Sequence, residues 1–259
     1  VVHLASIVTP GPRSRRAFEY SVDVGGTANV LQACRAAAVR RLVVSSSGAA
    51  YGYHADNPPW ITEDVPLRGN ETFAYAHHKR LVEEMLARWR REQPQLEQVV
   101  LRIGTILGQT VDNQITALFD KPRLIAIRGS ASPFVFVWDQ DVVAALRHAV
   151  DGGPPGIYNL AGDGALSLAD IAQRLGKRRL VLPAALLRGA LATLKLLRLT
   201  RYGPEQVDFL RYRPVLDNTR LKAVFGYRPQ LTSEQVFELY RAARSVSPAR
   251  PRSRSTGRP

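Results

Sequence analysis

The run Leu42-Val43-Val44, closed by Ser45-Ser46-Ser47-Gly48, limits the folds open to this chain more than any other feature. Adjacent apolar side chains without polar alternation read as a strand covered on both faces, the habit of parallel sheets flanked by helices. A buried strand that ends in serines leaves hydroxyls at the carboxyl edge of its sheet, where open α/β sheets bind ligands. After a proline-rich loop, Tyr75-Ala76-His77-His78-Lys79 opens a helix. It sets Tyr75 and Lys79 four residues apart, on one face. A phenol, an ammonium and a hydroxyl are thereby expected to meet in one small volume.

A free tyrosine titrates near pH ~10, and a neighbouring ammonium favours its phenolate. A phenol tuned in this way passes a proton to or from an alcohol or carbonyl oxygen. A serine opposite holds that oxygen and stabilises charge developing on it. The set suits hydride transfer at a carbon bearing oxygen, with a nicotinamide as hydride carrier. Tyr-x-x-x-Lys alone is a weak signal, since many exposed helices carry it by chance. Here no other tyrosine has a lysine four residues on, and the serine-ended strand precedes it.

Ser45-Ser46-Ser47, Tyr51-Gly52 and Tyr75-x-x-x-Lys79 resemble the extended short-chain dehydrogenase/reductase superfamily. That group includes NAD-dependent epimerases and dehydratases of nucleotide sugars, and reductases and dehydrogenases of hydrophobic alcohols. The resemblance implies that Ser47, Tyr75 and Lys79 are catalytic and that Tyr75 and Lys79 also hold the nicotinamide ribose of NAD or NADP. It further implies that Leu4, Ala5, Ser45 and Ile103 line the cofactor, and that Ser47, Gly48 and Thr105 face the substrate. Residues 23–31, Asp-Val-Gly-Gly-Thr-Ala-Asn-Val-Leu, are similar to a family stretch that begins with an asparagine near the nicotinamide; Asp23 stands in its place. Residues 101–108 are similar to the family's Leu-Arg-Pro-x-Asn-x-x-Gly, with Thr105 where an asparagine contacts substrate. Sugar-nucleotide enzymes clamp the diphosphate with an arginine near a later strand. None occurs around Ser132–Phe136, although Arg128 is close, which tilts the expectation toward a hydrophobic alcohol or ketone.

The expected fold class is α/β: a Rossmann-like, doubly wound parallel sheet with a smaller α/β substrate domain. Residues 1–150 read as the cofactor domain, 151–243 as mainly the substrate domain, and 244–259 as a disordered basic tail. Strands are expected at 1–6, 41–46, 98–102, 134–138 and 156–160. Helices are expected at 16–38, 75–91, 142–150 (capped by Asp141) and 168–175 (capped by Ser167), and from Asp217 to a stop at Gly226. A last helix, capped by Thr232-Ser233, runs to 243. His3 reads as a packed strand-end residue, and Glu63 as structural. Gly162-Asp163-Gly164 mimics a dinucleotide fingerprint but lacks the third glycine and a following acid. The leucine-rich stretch 183–199 reads as core packing of the substrate domain, or else as a wall of an apolar pocket. No credible glycine-rich phosphate loop occurs. By the resemblance, the chain is expected to lack the family's first three strands and to bind cofactor weakly. A non-catalytic relic of the fold, serving as a binding or scaffold protein, is the alternative.

With 259 residues, 45% of them hydrophobic, the chain can bury one or two domain cores. A single cysteine, Cys34, excludes an internal disulfide and suits a reducing compartment; a cytoplasmic location and no bound metal are expected. The net charge of +14 includes four arginines within residues 245–259, Arg250, Arg252, Arg254 and Arg258. The rest are spread out, which fits weak attraction to anions rather than a dedicated nucleic-acid role. Residues 183–200 are interrupted by Arg188, Lys195 and Arg198, so no membrane span is expected. The small-molecule substrate is the expected partner, and the resemblance implies a homodimer through helices 16–38 and 75–91.

Overall fold

The computed structural model describes residues 1–11, 14–197, 199–200 and 203–246. Along the chain, β1 (Val2–His3) leads to α1 (Arg16–Tyr20), a π turn (Ser21–Gly25) and α2 (Gly26–Ala36), which together make one continuous helix. β2 (Arg41–Ser47) runs into a 3-10 turn (Gly48–Tyr51), then α3 (Ala74–Glu92), β3 (Glu97–Ile103) and β4 (Thr105–Leu107). α4 (Gln114–Phe119), β5 (Arg123–Ile127), β6 (Phe136–Trp138), α5 (Asp139–Asp151) and β7 (Gly156–Leu160) follow. The remainder is α6 (Leu168–Arg174), β8 (Arg178–Leu182), α7 (Ala184–Leu196), α8 (Gln206–Arg211), a π turn (Leu221–Phe225) and α9 (Ser233–Val246).

The main sheet is parallel throughout, in the order β1-β2-β3-β7. This is the doubly wound arrangement expected. Alternation sorts its side chains. Leu42, Val44 and Val100 pack against Val24, Leu31 and Cys34 of the first helix and Val82 and Leu86 of α3. Val43, Val99 and Leu101 pack on the opposite face, against Val142, Ala145 and Ala149 of α5. With helices on both faces, every strand position is covered, hence the unbroken apolar run in β2. All four strands point the same way, so His3, Ser47, Ile103 and Leu160 end at one carboxyl edge.

Two short parallel pairs, β4 with β6 and β5 with β8, stand outside this sheet. Phe119, Phe134, Phe136, Phe237 and Tyr240 centre a separate core. Gly162 lies against this region. A Cβ there would sit 2.7 Å from Leu231 O and 2.9 Å from Phe136 O, so only glycine fits.

Several expectations change. The first strand is two residues long rather than six. The short strands β4, β5 and β8 and the helices α4 and α8 were not foreseen. Asp141 is not a cap: α5 begins at Asp139, and the Asp141 carboxylate instead accepts from Tyr227 Oη (2.7 Å) and Gln230 N (2.9 Å). Ser167 caps α6 in a box with Asp170, and Thr232 accepts from Gln235 N ahead of α9, both as read. The last helix continues through the expected tail start to Val246; residues 247–259, where the tail was placed, lie outside the described residues. α7 contributes no buried residue, which overturns its reading as core.

Candidate active site

β2 delivers the serines and α3 delivers the tyrosine and lysine. The link between them is the loop 52–73, pinned by glycine. A Cβ on Gly69 would stand 2.1 Å from Ala76 O, and Gly69 N bonds Ala50 O at 3.0 Å. The loop therefore lies directly on the first turn of α3. Gly69→Ala is expected to push that turn away and cost about 1–3 kcal/mol, the usual range for overpacking; thermal unfolding measures it.

The Ser47 side chain lies within interaction reach of the Tyr75 hydroxyl, and its Oγ accepts from Ala49 N at 3.2 Å. Lys79 is buried, and its Nζ donates to Ser45 O at 2.8 Å while standing 5.6 Å from the centre of the Tyr75 ring. Burial pushes the Tyr75 phenol above the ordinary tyrosine value; Ser47 opposes the rise and the charge of Asp23 adds to it. This corrects the expectation of a lowered phenol. The Lys79 ammonium donates to the β2 carbonyl of Ser45, and burial of the phenol dominates. Burial also pulls Lys79 below the ordinary lysine value, with Asp23 and Glu83 working against that fall.

Asp23, the departure from the resembling asparagine, is a junction. Its carboxylate accepts from Ser6 Oγ (3.0 Å), Ile7 N (2.8 Å) and His78 Nδ1 (2.8 Å). His78 is fully enclosed, edge-on to Tyr20, and its Nε2 has no partner. His3 is packed as read, bonded to Thr27 Oγ1 at 3.0 Å.

Ala5 and Ser45 meet Lys79, His3, Ser6 and Asp23 around one cavity of about 10 Å³, enough for about one water. Leu4 lies exposed beside it. Ile103 is level with Ser47 across the sheet, but its side chain belongs to the core on the α5 face. Gly48 is buried against Leu216, whose methyls would stand 3.1 Å from an added Cβ. Thr105 is half-buried on β4, paired with Phe136.

Beneath the site lies a closed polar network. Arg102 forks onto Glu83 with Nε and Nη2 (2.9 and 2.7 Å) and donates from Nη1 to Tyr51 Oη (2.7 Å) and Glu63 O (3.0 Å). Glu83 also accepts from Ser46 Oγ. Tyr51 Oη donates to Asn159 Oδ1 at 2.9 Å, and Glu63 accepts from Asn159 N at 2.8 Å. Glu63 is thus structural, as read.

One residue escaped the sequence reading. The expectation held no arginine near residues 132–136, yet Arg213 places its guanidinium 3.8 Å from the centre of the Phe134 ring and 4.8 Å from that of Phe209. Phe209, Tyr53, Phe73 and Tyr75 belong to one aromatic group, so Arg213 touches, through Phe209, the group in which Tyr75 packs. Burial pulls Arg213 down to about 9, with Tyr53 opposing, and its Nε has no hydrogen-bond partner. Arg128, the expected substitute, is exposed. The signal for Arg213 was the basic, aromatic run Arg211-Tyr212-Arg213-Pro214, but only folding brings it to Phe134.

Residues 1–161 match the model of the NAD dependent epimerase/dehydratase family. An uncharacterised Mycobacterium tuberculosis protein is 28% identical over 253 residues, covering 96% of this chain and 66% of its own length. The chain thus spans just under two thirds of that relative. The UDP-glucose 4-epimerase of Erwinia amylovora is 31% identical over 116 residues, 44% of this chain and 34% of the epimerase. Among solved structures, a short-chain dehydrogenase/reductase superfamily protein of Agrobacterium tumefaciens with bound NAD superposes at a TM-score of 0.69. It is 23% identical and covers 95% of this chain and 79% of its own. At these identities the structural match speaks for the fold.

Proposed function

Because the chain belongs to the NAD-dependent epimerase/dehydratase family, we propose that it serves hydride transfer at an alcohol or ketone carbon, as an oxidoreductase or epimerase. The observation that carries this reading is the convergence of Ser47, Tyr75 and Lys79 at the carboxyl edge of the sheet, with Lys79 Nζ 5.6 Å from the centre of the Tyr75 ring. Tyr75 moves the proton at the substrate oxygen and Ser47 holds that oxygen. The donor set fits the ribose end of a nicotinamide cofactor: an ammonium has three N–H donors and the bond to Ser45 O occupies one. Such a cofactor, NAD or NADP, would supply the hydride exchange. Ala5 and Ser45 would border it, with Leu4 alongside.

Arg213 shifts the substrate class. A guanidinium buried among aromatic rings, with an unbonded Nε, suits an anionic group. A nucleotide sugar, whose diphosphate lies apart from the reacting carbon, meets that need better than a neutral alcohol. Arg213→Leu is expected to raise KM for a nucleotide sugar about ten- to hundred-fold, the worth of a charged hydrogen bond, with kcat changed far less. Equal KM values would remove Arg213 from the substrate site.

Titration with NADH, followed by its fluorescence, tests the cofactor, and turnover of UDP-sugars with NAD tests the reaction. Turnover lost in Tyr75→Phe with binding kept, and binding and turnover both lost in Lys79→Met, support the enzyme. Absence of both in the unaltered protein favours a non-catalytic scaffold.

A further inference from the structure

Residues 171–204 contain no aspartate or glutamate, yet hold eight basic residues and ten leucines. In a chain with 22 acids among its 259 residues, such a run has a distinct character. Its centre is α7. Ala184, Leu187 and Leu191 turn partly inward, while Leu186, Ala190, Leu194 and Leu197 fall on one outward stripe. Leu196 and Leu199 are 83% and 71% exposed. On β8, which leads into this helix, Leu180 and Val181 are exposed beside Arg178 and Arg179. Ile125, the neighbour of Leu180 across the β5–β8 pair, is exposed as well.

Exposed leucines cost free energy in water, about 25 cal/mol for each Å² of apolar surface. A contiguous run of them on a monomer marks a docking face. We propose that α7, with β8, docks onto an anionic lipid bilayer, the leucines entering the acyl boundary and Arg178 and Arg179 meeting the headgroups. The helix has 13 residues, about 20 Å at 1.5 Å each, too short to cross a hydrocarbon layer of about 30 Å. No helix among the described residues is long and apolar enough to span. A short helix of this kind lies in the interface plane, held by apolar area and by charge.

Charge decides the occupant. A second copy paired about a two-fold axis would set one net-positive face against another, with no acid to receive Arg178 and Arg179 in the run 171–204. A nucleic acid offers phosphates but no apolar phase for Leu186, Leu196, Leu197 and Leu199. An anionic bilayer supplies both. Arg188 and Lys195 are already matched by Asp208 and Glu205 on the protein side. Arg178 and Arg179 are exposed and available to headgroups.

The test is co-sedimentation of the purified protein with vesicles of phosphatidylcholine alone and of phosphatidylcholine with phosphatidylglycerol. Partition into the anionic vesicles is expected to exceed that into the neutral ones at least about tenfold and to fall with salt. Leu196→Glu/Leu197→Glu should lose it about tenfold or more while keeping its unfolding temperature, because both side chains face water. Arg178→Gln/Arg179→Gln should lose the salt dependence in part. All variants keep the basic C-terminal residues, so a loss is assigned to α7. Failure to bind anionic vesicles, equal binding by the leucine variant, or a leucine-dependent dimer in sedimentation equilibrium would each overturn the proposal.

Discussion

Tyr75→Phe is expected to lower turnover by about a hundred- to ten-thousand-fold, the range for losing a positioned acid–base group, with NADH affinity nearly unchanged. The substitution removes one hydroxyl, the one beside Ser47, and leaves the ring in place among Tyr53, Phe73 and Phe209. Lys79 keeps its bond to Ser45 O, so its hold on a ribose does not depend on the phenol. The pH profile provides a second readout. Burial sets the Tyr75 phenol above the ordinary tyrosine value, so it carries its proton throughout the neutral range. Reduction of a ketone, which needs the acid form, should hold its rate through neutral pH and fall only on the alkaline side. Oxidation of an alcohol, which needs the phenolate, should climb with pH over the same range. Steady-state rates in both directions, with Tyr75→Phe as control, test this. An oxidation profile flat from pH 6 to about 10 would remove Tyr75 as the base.

Arg102→Leu is expected to destabilise the fold by about 3–5 kcal/mol, the cost of breaking one side of a buried ion pair. The Arg102 and Glu83 side chains are only 4% and 3% exposed. Burial works against the Arg102 charge, but Glu83 and Tyr51 more than offset it, and its pKa is raised. Without the guanidinium, Glu83 keeps its hydrogen bond from Ser46 alone, while Tyr51 Oη and Glu63 O lose a donor. At about 2–4 °C for each kcal/mol in a chain of this size, the melting temperature should drop by about 6–20 °C. Arg102→Leu/Glu83→Met should recover much of this, since an apolar pair leaves no buried charge. Calorimetry of both variants measures the difference. A loss below about 1 kcal/mol in Arg102→Leu would show that the network is not carrying the pair.

What was legible in the sequence follows from what each residue depends on. The apolar run 42–44 and the serines after it depend on one strand, and the pair Tyr75 and Lys79 on one helix; short spacings sufficed for both. Caps such as Ser167 are local in the same sense. Arg213 was missed because its significance lies in Phe134, 79 positions earlier, and only tertiary packing joins them. Asp141 was misread as a cap because its partners, Tyr227 and Gln230, are equally distant along the chain. The leucines of α7 were misread because apolar content does not reveal whether another element covers them. The direction of the Tyr75 shift was missed because it turns on how deeply the phenol is buried, which helical spacing does not fix.

The π turn at Ser21–Gly25 puts the two halves of the first long helix out of phase. A turn of this kind carries one residue more than an α turn, equivalent to about 100° of rotation. Asp23 sits inside it, and that offset aims its carboxylate at His78, Ser6 and Ile7 while Leu31 and Cys34 still face the sheet. Removing a single residue there would restore an even pitch. One half of the helix would then have to unscrew from its contacts, so the stretch tolerates exchange of side chains far better than a change in their number.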